Sequence, residues 1–244
     1  MPSASISVVL PAFKEAEVIS QSLAILSDYL GIHFQKFEII VVTDGSPDGT
    51  QENVIRFQAS HPEIPLQHIA FTKNRGKGAA VRAGVLASQY DPILYLDADL
   101  TIPISELEKF VQALETADIV IASRLLPGSS FEEPIPWYRT ILARGFHLLQ
   151  ILILGNFEFS DTQCGFKLFR REVALDLFRR QTIERFAFDA ELLFLAKQDH
   201  RNITILPVTI KKDPRNTNVD PWRDPVNMFF ALLKIRFNHW YHQL

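Results

Sequence analysis

Two aspartates one residue apart, Asp97 and Asp99, close an apolar run at residues 93–96. A buried parallel strand whose C-terminal end opens onto a site has this pattern, apolar and then abruptly acidic. A strand period of two carried through the pair puts both carboxylates on one side, where they can converge on a single hard cation. Mg²⁺ or Mn²⁺ suits them, because such ions take a few protein oxygens and leave positions for phosphate and water. A strand end followed by a capped loop with solvated acids has the same composition, so the rest of the chain must decide.

Asp44 ends a second apolar run, at 37–42, and begins a turn-rich stretch, Asp44-Gly45-Ser46-Pro47-Asp48-Gly49-Thr50; residues 11–15 follow a first run at 6–10. A carboxylate at such a strand end accepts hydrogen bonds from a base or ribose, while the Asp97/Asp99 pair would hold a metal on a diphosphate. Asp48 reads as a turn or helix-cap residue. The basic loop Lys73-Asn74-Arg75-Gly76-Lys77-Gly78 suits contacts to phosphate or lipid phosphate, and equally plain solvation. It is not a Walker loop, since no Gly, four residues, Gly-Lys-Ser/Thr run is present. His239 and His242 have no carboxylate near them in sequence and read as surface or interfacial residues.

Alternating strands and helices would position these groups. Strands are expected at 6–10, 37–42, 66–71, 93–96 and 119–122. Helices are expected at 15–30, 51–60 (capped by Thr50 or Asp48) and 79–89, with another to about residue 114 entered through a capping box of Ser105 and Glu108. Beyond a boundary near 128–136 the pattern changes to an apolar helix at 137–155, a glycine-containing connection at 161–169 leading into a strand or helix, helices at 172–180 and 189–197, and a strand at 203–208. Acid-ended strands in alternation with helices predict a doubly wound, mostly parallel α/β sheet with its ligand crevice along the strands' C-terminal edge.

Composition narrows the function. The 244 residues are 47% hydrophobic and 22% charged, with a net charge of −3, which describes one globular domain without the field that would draw in nucleic acid. A single cysteine, Cys164, excludes an intramolecular disulfide and a cysteine-based zinc site and fits a reducing, cytoplasmic setting. No cleavable leader is read at the N-terminus, and no uncharged run reaches the length of a membrane span.

The blocks Val8-Val9-Leu10-Pro11-Ala12-Phe13-Lys14-Glu15, Asp44 to Thr50, Asn74 to Gly78, Asp97-Ala98-Asp99, Ser123-Arg124, Asp161-Thr162-Gln163-Cys164-Gly165-Phe166-Lys167 and Arg185-Phe186-Ala187-Phe188-Asp189-Ala190-Glu191 occur in one order over nearly the whole chain. Together they resemble the family 2 glycosyltransferases of the GT-A fold, and among them the polyprenyl- and dolichyl-phosphate hexose synthases. The last two blocks resemble the glucosyl branch more than the mannosyl one. Two positions depart from the pattern: Lys14 stands where the family usually has Asn, and Thr43 where an aspartate usually precedes Asp44.

The resemblance implies inverting transfer of a hexose from a nucleotide sugar to a polyprenyl phosphate, with UDP-glucose favoured and GDP-mannose kept open as donor. By position it places Pro11, Phe13, Glu15 and Asp44 on the nucleoside, Asp97 and Asp99 on the diphosphate and on Mg²⁺ or Mn²⁺, and Arg124 on the phosphates. Arg124 with Arg144 and Lys167 would position the acceptor phosphate, Arg75 and Lys77 would add basic contacts to it, and Asp161 and Gln163 would lie on the acceptor or sugar side. A phosphate acceptor is already anionic at neutral pH and needs positioning more than a base. Asp99, Arg124 and Gln163 are the residues expected closest to the chemistry.

A lipid phosphate also requires a membrane surface. Residues 137–154 and 225–244 are apolar with interspersed cations, too short and too charged to span, and suited to interfacial helices; core or dimer helices would carry the same residues. The expectation is therefore a single domain, 1–244, with a nucleotide-sugar half (1–127), an acceptor half (128–224) and an amphipathic helix (225–244), peripheral on the cytoplasmic face of a membrane, with no nucleic-acid partner and oligomerisation left open. Two rivals stand beside it. One is transfer to a sugar or polysaccharide, with Asp189 or Glu191 as base; the other is a non-catalytic nucleotide-sugar-binding protein, motivated by Lys14 and Thr43.

Overall fold

The computed structural model describes residues 3–133, 137–155, 159–212 and 223–240, with the backbone alone at 3, 137–144, 223–226 and 240. Strand β1 (Ser3–Ala12) leads to α1 (Ile19–His33), then β2 (Phe34–Asp44), α2 (Thr50–Ser60), β3 (Leu66–Phe71), α3 (Lys77–Ala87) and β4 (Ile93–Leu96). A 3-10 turn (Ile104–Glu106) opens α4 (Leu107–Ala113), followed by β5 (Ile119–Ser123), the short β6 (Ser130–Phe131) and α5 (Trp137–Leu154). The remainder is β7 (Phe166–Phe169), α6 (Arg171–Arg180), α7 (Phe188–Gln198), β8 (Ile203–Pro207), the short β9 (Thr209–Ile210) and α8 (Arg223–Trp240).

Seven strands form one sheet in the order β3-β2-β1-β4-β7-β5-β8, and β6 pairs with β9 in a separate parallel ribbon. Every pair in the large sheet is parallel except those of β7, which runs antiparallel to both β4 and β5. The inner strands β4, β5 and β7 are buried on both faces, which is why β4 and β5 read as continuous apolar runs. Val8, Leu10 and Val41 pack with Leu23 and Phe110 on one side, and Val9, Ile40 and Tyr95 pack with Val81, Phe178 and Phe188 on the other. Burying such side chains contributes about 1.5–3 kcal/mol each, enough to hold acids at the strand ends that contribute little to the core.

Two local expectations differ. The Ser105/Glu108 capping box does not form: neither Pro103 nor Glu106 receives a side-chain cap, because the chain leaves Pro103 directly into the 3-10 turn and Ser105 lies inside that turn. The cap of α2 is Gly49, at φ 82°, while Asp48 accepts the Thr50 N–H (3.3 Å), the Thr50 hydroxyl (2.6 Å) and the Ala16 N–H (3.2 Å), a turn role. The connection at 161–169 resolves into a loop and strand β7.

Helix α8 has two faces. Leu232 and Ile235 are fully buried in the second core cluster, whereas Phe230 and Phe237 are 62% and 58% exposed. His239, expected at a surface, is buried and its Nε2 lies 2.9 Å from Glu191 Oε1. Among the described residues no helix is long and apolar enough to cross a membrane.

Candidate active site

The antiparallel direction of β7 builds the site. Parallel strands β1, β2, β4 and β5 deliver their C-terminal ends to one edge, and an antiparallel strand delivers its N-terminal approach there instead. In register, Leu96 at the end of β4 faces Phe166 at the start of β7. The segment before β7, residues 161–165, therefore crosses the edge between Asp97 and Arg124.

Asp97 and Asp99 come from a turn, not from the pleat of a strand. Strand β4 stops at Leu96; the Leu100 N–H then bonds to the Asp97 carbonyl (3.1 Å), with Leu100 at φ 51°, and Asp99 Oδ1 accepts the Thr101 N–H (3.0 Å). Asp97 continues the sheet on one side, donating its N–H to the Gly165 carbonyl (3.0 Å). Its carboxylate is 37% exposed and has Lys77 Nζ at 2.5 Å on Oδ1. Burial alone would lower the Lys77 pKa, but Asp97, with Asp189 and Asp99 beyond it, outweighs burial and raises it, so the group is an ammonium.

Arg124, immediately after β5, is clasped to Asp161. Its backbone N–H and Nε donate to Oδ2 at 2.8 and 2.9 Å, and Nη2 donates to Oδ1 at 2.8 Å. This two-pronged geometry fixes the guanidinium plane. Burial would raise the Asp161 carboxyl, yet the Arg124 hydrogen bonds and charge hold it below its ordinary value; the same pairing overrides burial at Arg124 and raises its pKa. Asp161 is buried, whereas the Arg124 side chain is 40% exposed and open toward the edge. Gln163, half-buried on the same segment, donates one amide hydrogen to Thr162 Oγ1 at 3.3 Å.

Lys167, expected on the acceptor phosphate, is instead in the core. It sits opposite Tyr95 across β4 and β7, and its three N–H groups go to Tyr95 Oη (2.7 Å), the Cys164 carbonyl (2.6 Å) and Asp189 Oδ1 (2.6 Å). The Tyr95 hydroxyl also donates to Asp189. Burial first, and then Asp189, push the Tyr95 phenol well above its usual range. A lone ammonium in the core would be costly; partnered this way it ties β4, β7 and α7 together behind Asp97. Sequence reading missed Tyr95 here, although a hydroxyl inside an apolar strand signals a buried partner.

Asp44 also turns inward. It is 2% exposed, and its oxygens accept Asn74 Nδ2 (2.9 Å), the Arg75 N–H (2.7 Å) and the Gly76 N–H (2.8 Å). It orders the basic loop. Thr43 beside it is buried, its hydroxyl 2.9 Å from His68 Nε2, and burial lowers the His68 pKa.

Residues 11–15 emerge between the ends of β2 and β4 and are stitched to the next loop. The Lys14 N–H donates to Ser46 Oγ (3.2 Å) and the Glu15 N–H to Thr50 Oγ1 (2.9 Å). Pro11, Phe13 and Glu15 are half-buried there. Arg75 is exposed, bonded to Glu184 (2.6 Å) and lying over the Phe71 ring. The Arg144 side chain falls outside the described residues.

No group of three or more His, Cys, Asp or Glu that could hold a metal occurs among the described residues. Two carboxylates such as Asp97 and Asp99 would suit a divalent ion that shares its shell with phosphate and water, and a cation, Lys77, already sits on one Asp97 oxygen.

A model described as glycosyl transferase family 2 matches residues 7–178. The chain belongs to that family. Among its relatives, a dolichyl-phosphate beta-glucosyltransferase of Trichomonas vaginalis is 42% identical over 212 residues, 82% of this chain and 62% of that protein. The Dictyostelium discoideum enzyme of the same name is 33% identical over 96% of this chain and 74% of its own length, and the human one 33% over 80% and 64%. The chain thus spans less than two thirds of the length of two of these three relatives. A glucosyl-3-phosphoglycerate synthase from Mycobacterium tuberculosis, solved with Mn²⁺, UDP and glucosyl-3-phosphoglycerate, superposes with a TM-score of 0.66 at 19% identity, covering 96% of this chain and 80% of that one. A Pyrobaculum calidifontis mannosyltransferase with GDP-Man and Mn²⁺ gives 0.62 at 20% identity, covering 98% and 70%. At these identities the likeness is one of fold, a mostly parallel GT-A sheet flanked by helices.

Proposed function

We propose that this chain is an inverting, metal-dependent glycosyltransferase that moves glucose from UDP-glucose to a dolichyl or other polyprenyl phosphate at the cytoplasmic face of a membrane. The observation that carries it is the edge itself, where the half-buried acids Asp97 and Asp99 follow β4 and Asp97 acts on the Arg124 guanidinium that Asp161 holds in place. The names of the relatives support glucose as the sugar and a dolichyl phosphate as the acceptor class.

Asp97 and Asp99 would hold Mg²⁺ or Mn²⁺, which offsets the charge growing on the leaving diphosphate. Arg124, planar and oriented, presents its remaining N–H groups to phosphate oxygens. Residues 11–15 and the Asp44-ordered loop wall the nucleoside side, with Lys77 and Arg75 supplying positive charge. The acceptor phosphate brings its own negative oxygen, so the chain positions the nucleophile and need not deprotonate it.

A sugar acceptor would need a base, and the two candidates are committed elsewhere. Asp189 is buried against Lys167 and Tyr95, and Glu191 accepts the Thr182 and Ile183 N–H groups, the Thr182 hydroxyl and His239.

The deciding experiment incubates the purified chain with UDP-glucose or GDP-mannose, Mn²⁺ and a short polyprenyl phosphate. Lipid-linked glucose from UDP-glucose, lost with EDTA and in Asp99→Asn, is the expected result. Transfer to free sugars, rescued in Asp189→Asn by formate, would overturn it in favour of base catalysis.

A further inference from the structure

Lys77 and Asp97 are in direct polar contact at the edge: Nζ to Oδ1 is 2.5 Å, with side chains 19% and 37% exposed. The ammonium stands where a metal ligated by Asp97 would have to approach. Two like charges cannot share one carboxylate oxygen at this range without strong repulsion.

Lys77 cannot withdraw with its backbone. It is the first residue of α3 and lies between two glycines packed against the 183–188 segment. A Cβ on Gly76, at φ 113°, would meet the Glu184 carbonyl at 2.6 Å, and one on Gly78 would meet Phe188 Cβ at 2.7 Å. The Gly76 N–H is held by Asp44, the Gly78 carbonyl accepts Gln181 Nε2 at 3.1 Å, and the Ala79 N–H donates to the Glu184 carbonyl at 2.9 Å. Only the side-chain torsions can move the ammonium, and they need another anion to receive it. Asp189 is already matched by Lys167 and Asp161 by Arg124, and Asp99, the other acid acting on Lys77, is the second half of the pair that would take the metal. A nucleoside diphosphate entering the edge would be the missing acceptor.

We propose that Lys77 is the resident counter-ion of Asp97, a built-in competitor that a divalent cation displaces only when a diphosphate arrives to take the ammonium. Metal and nucleotide then enter together. This rests on the reading of Asp97 and Asp99 as the metal-holding pair.

The test is Mn²⁺ titration of the full chain, followed by loss of the free-ion electron paramagnetic resonance signal, with and without UDP. Without UDP the parent should bind weakly, Lys77→Gln at least about tenfold more tightly, equivalent to about 1.4 kcal/mol, and Lys77→Arg as weakly as the parent. UDP should tighten the parent and narrow its gap to Lys77→Gln. Lys77→Met, which keeps the aliphatic stem, replaces the glutamine variant if circular dichroism shows that variant unfolded. Equal Mn²⁺ affinity of parent and neutral variants without UDP overturns the competitor role while leaving the metal pair in place. Absence of Mn²⁺ binding in every variant even with UDP overturns the metal pair itself, and this inference with it.

Discussion

Gly165 lies so close to Asp97 that a Cβ on it would overlap the Asp97 carboxylate, and its carbonyl accepts the Asp97 N–H at 3.0 Å. The glycine is required by close approach, since backbone and carboxylate share space that no side chain could enter. Gly165→Ala should therefore displace the carboxylate with little loss of buried area. Turnover should fall about a hundredfold, as for a misplacement of roughly 1 Å at a reacting centre. Parallel assays of turnover and thermal midpoint check this; parent-like turnover in the folded variant would show that the Asp97 position is immaterial.

Lys167→Met should destabilise by about 3–5 kcal/mol, because it leaves the Asp189 carboxylate buried without its cation. The double variant Lys167→Met/Asp189→Leu should recover much of that loss. Urea unfolding of the single and double variants measures the coupling, and strictly additive losses would contradict a shared pair.

Asp161 sets an acid limit. Its folded pKa is depressed, so its contribution is fully present above its unfolded value, near pH 4, and is lost as pH falls through the lower folded value. Asp161→Asn should cost about 1–3 kcal/mol at pH 7 and flatten the fall in stability below about pH 4. Urea midpoints from neutral to acid pH test it, and an unchanged acid slope would assign the limit to another carboxylate.

The two faces of α8 make point substitutions the cleaner membrane test. Removing residues 225–244 would strip Leu232 and Ile235 from the core and break the His239–Glu191 contact. Phe230→Ser with Phe237→Ser removes only exposed apolar surface, worth about 1.5–3 kcal/mol per side chain if buried in lipid. Liposome sedimentation should weaken at least about tenfold while UDP binding is unchanged. Undiminished sedimentation would mean that this face does not carry the contact.

Local pattern was enough to place most elements. Runs such as 39–42 and 93–96 had to be strands because residues buried on both sheet faces are apolar without interruption, and the acids following Leu96 had to leave the sheet because unpaired carboxylates cannot remain in its core. The helical spacing around Leu23, Leu26 and Leu30 likewise marked α1. What the pattern left open was every choice that depends on a distant partner. Strand direction is not written in periodicity, so only the tertiary pairing of β7 with β4 and β5 revealed why residues 161–165 reach Asp97 and Arg124. The same holds for charge. Lys167, Asp44 and His239 look in sequence like groups turned to solvent or ligand, and each is buried because Asp189, the 74–76 backbone and Glu191 compensate its desolvation. A side chain's polarity is a local property, whereas whether water, ligand or protein satisfies it is decided by residues brought beside it when the sheet closes.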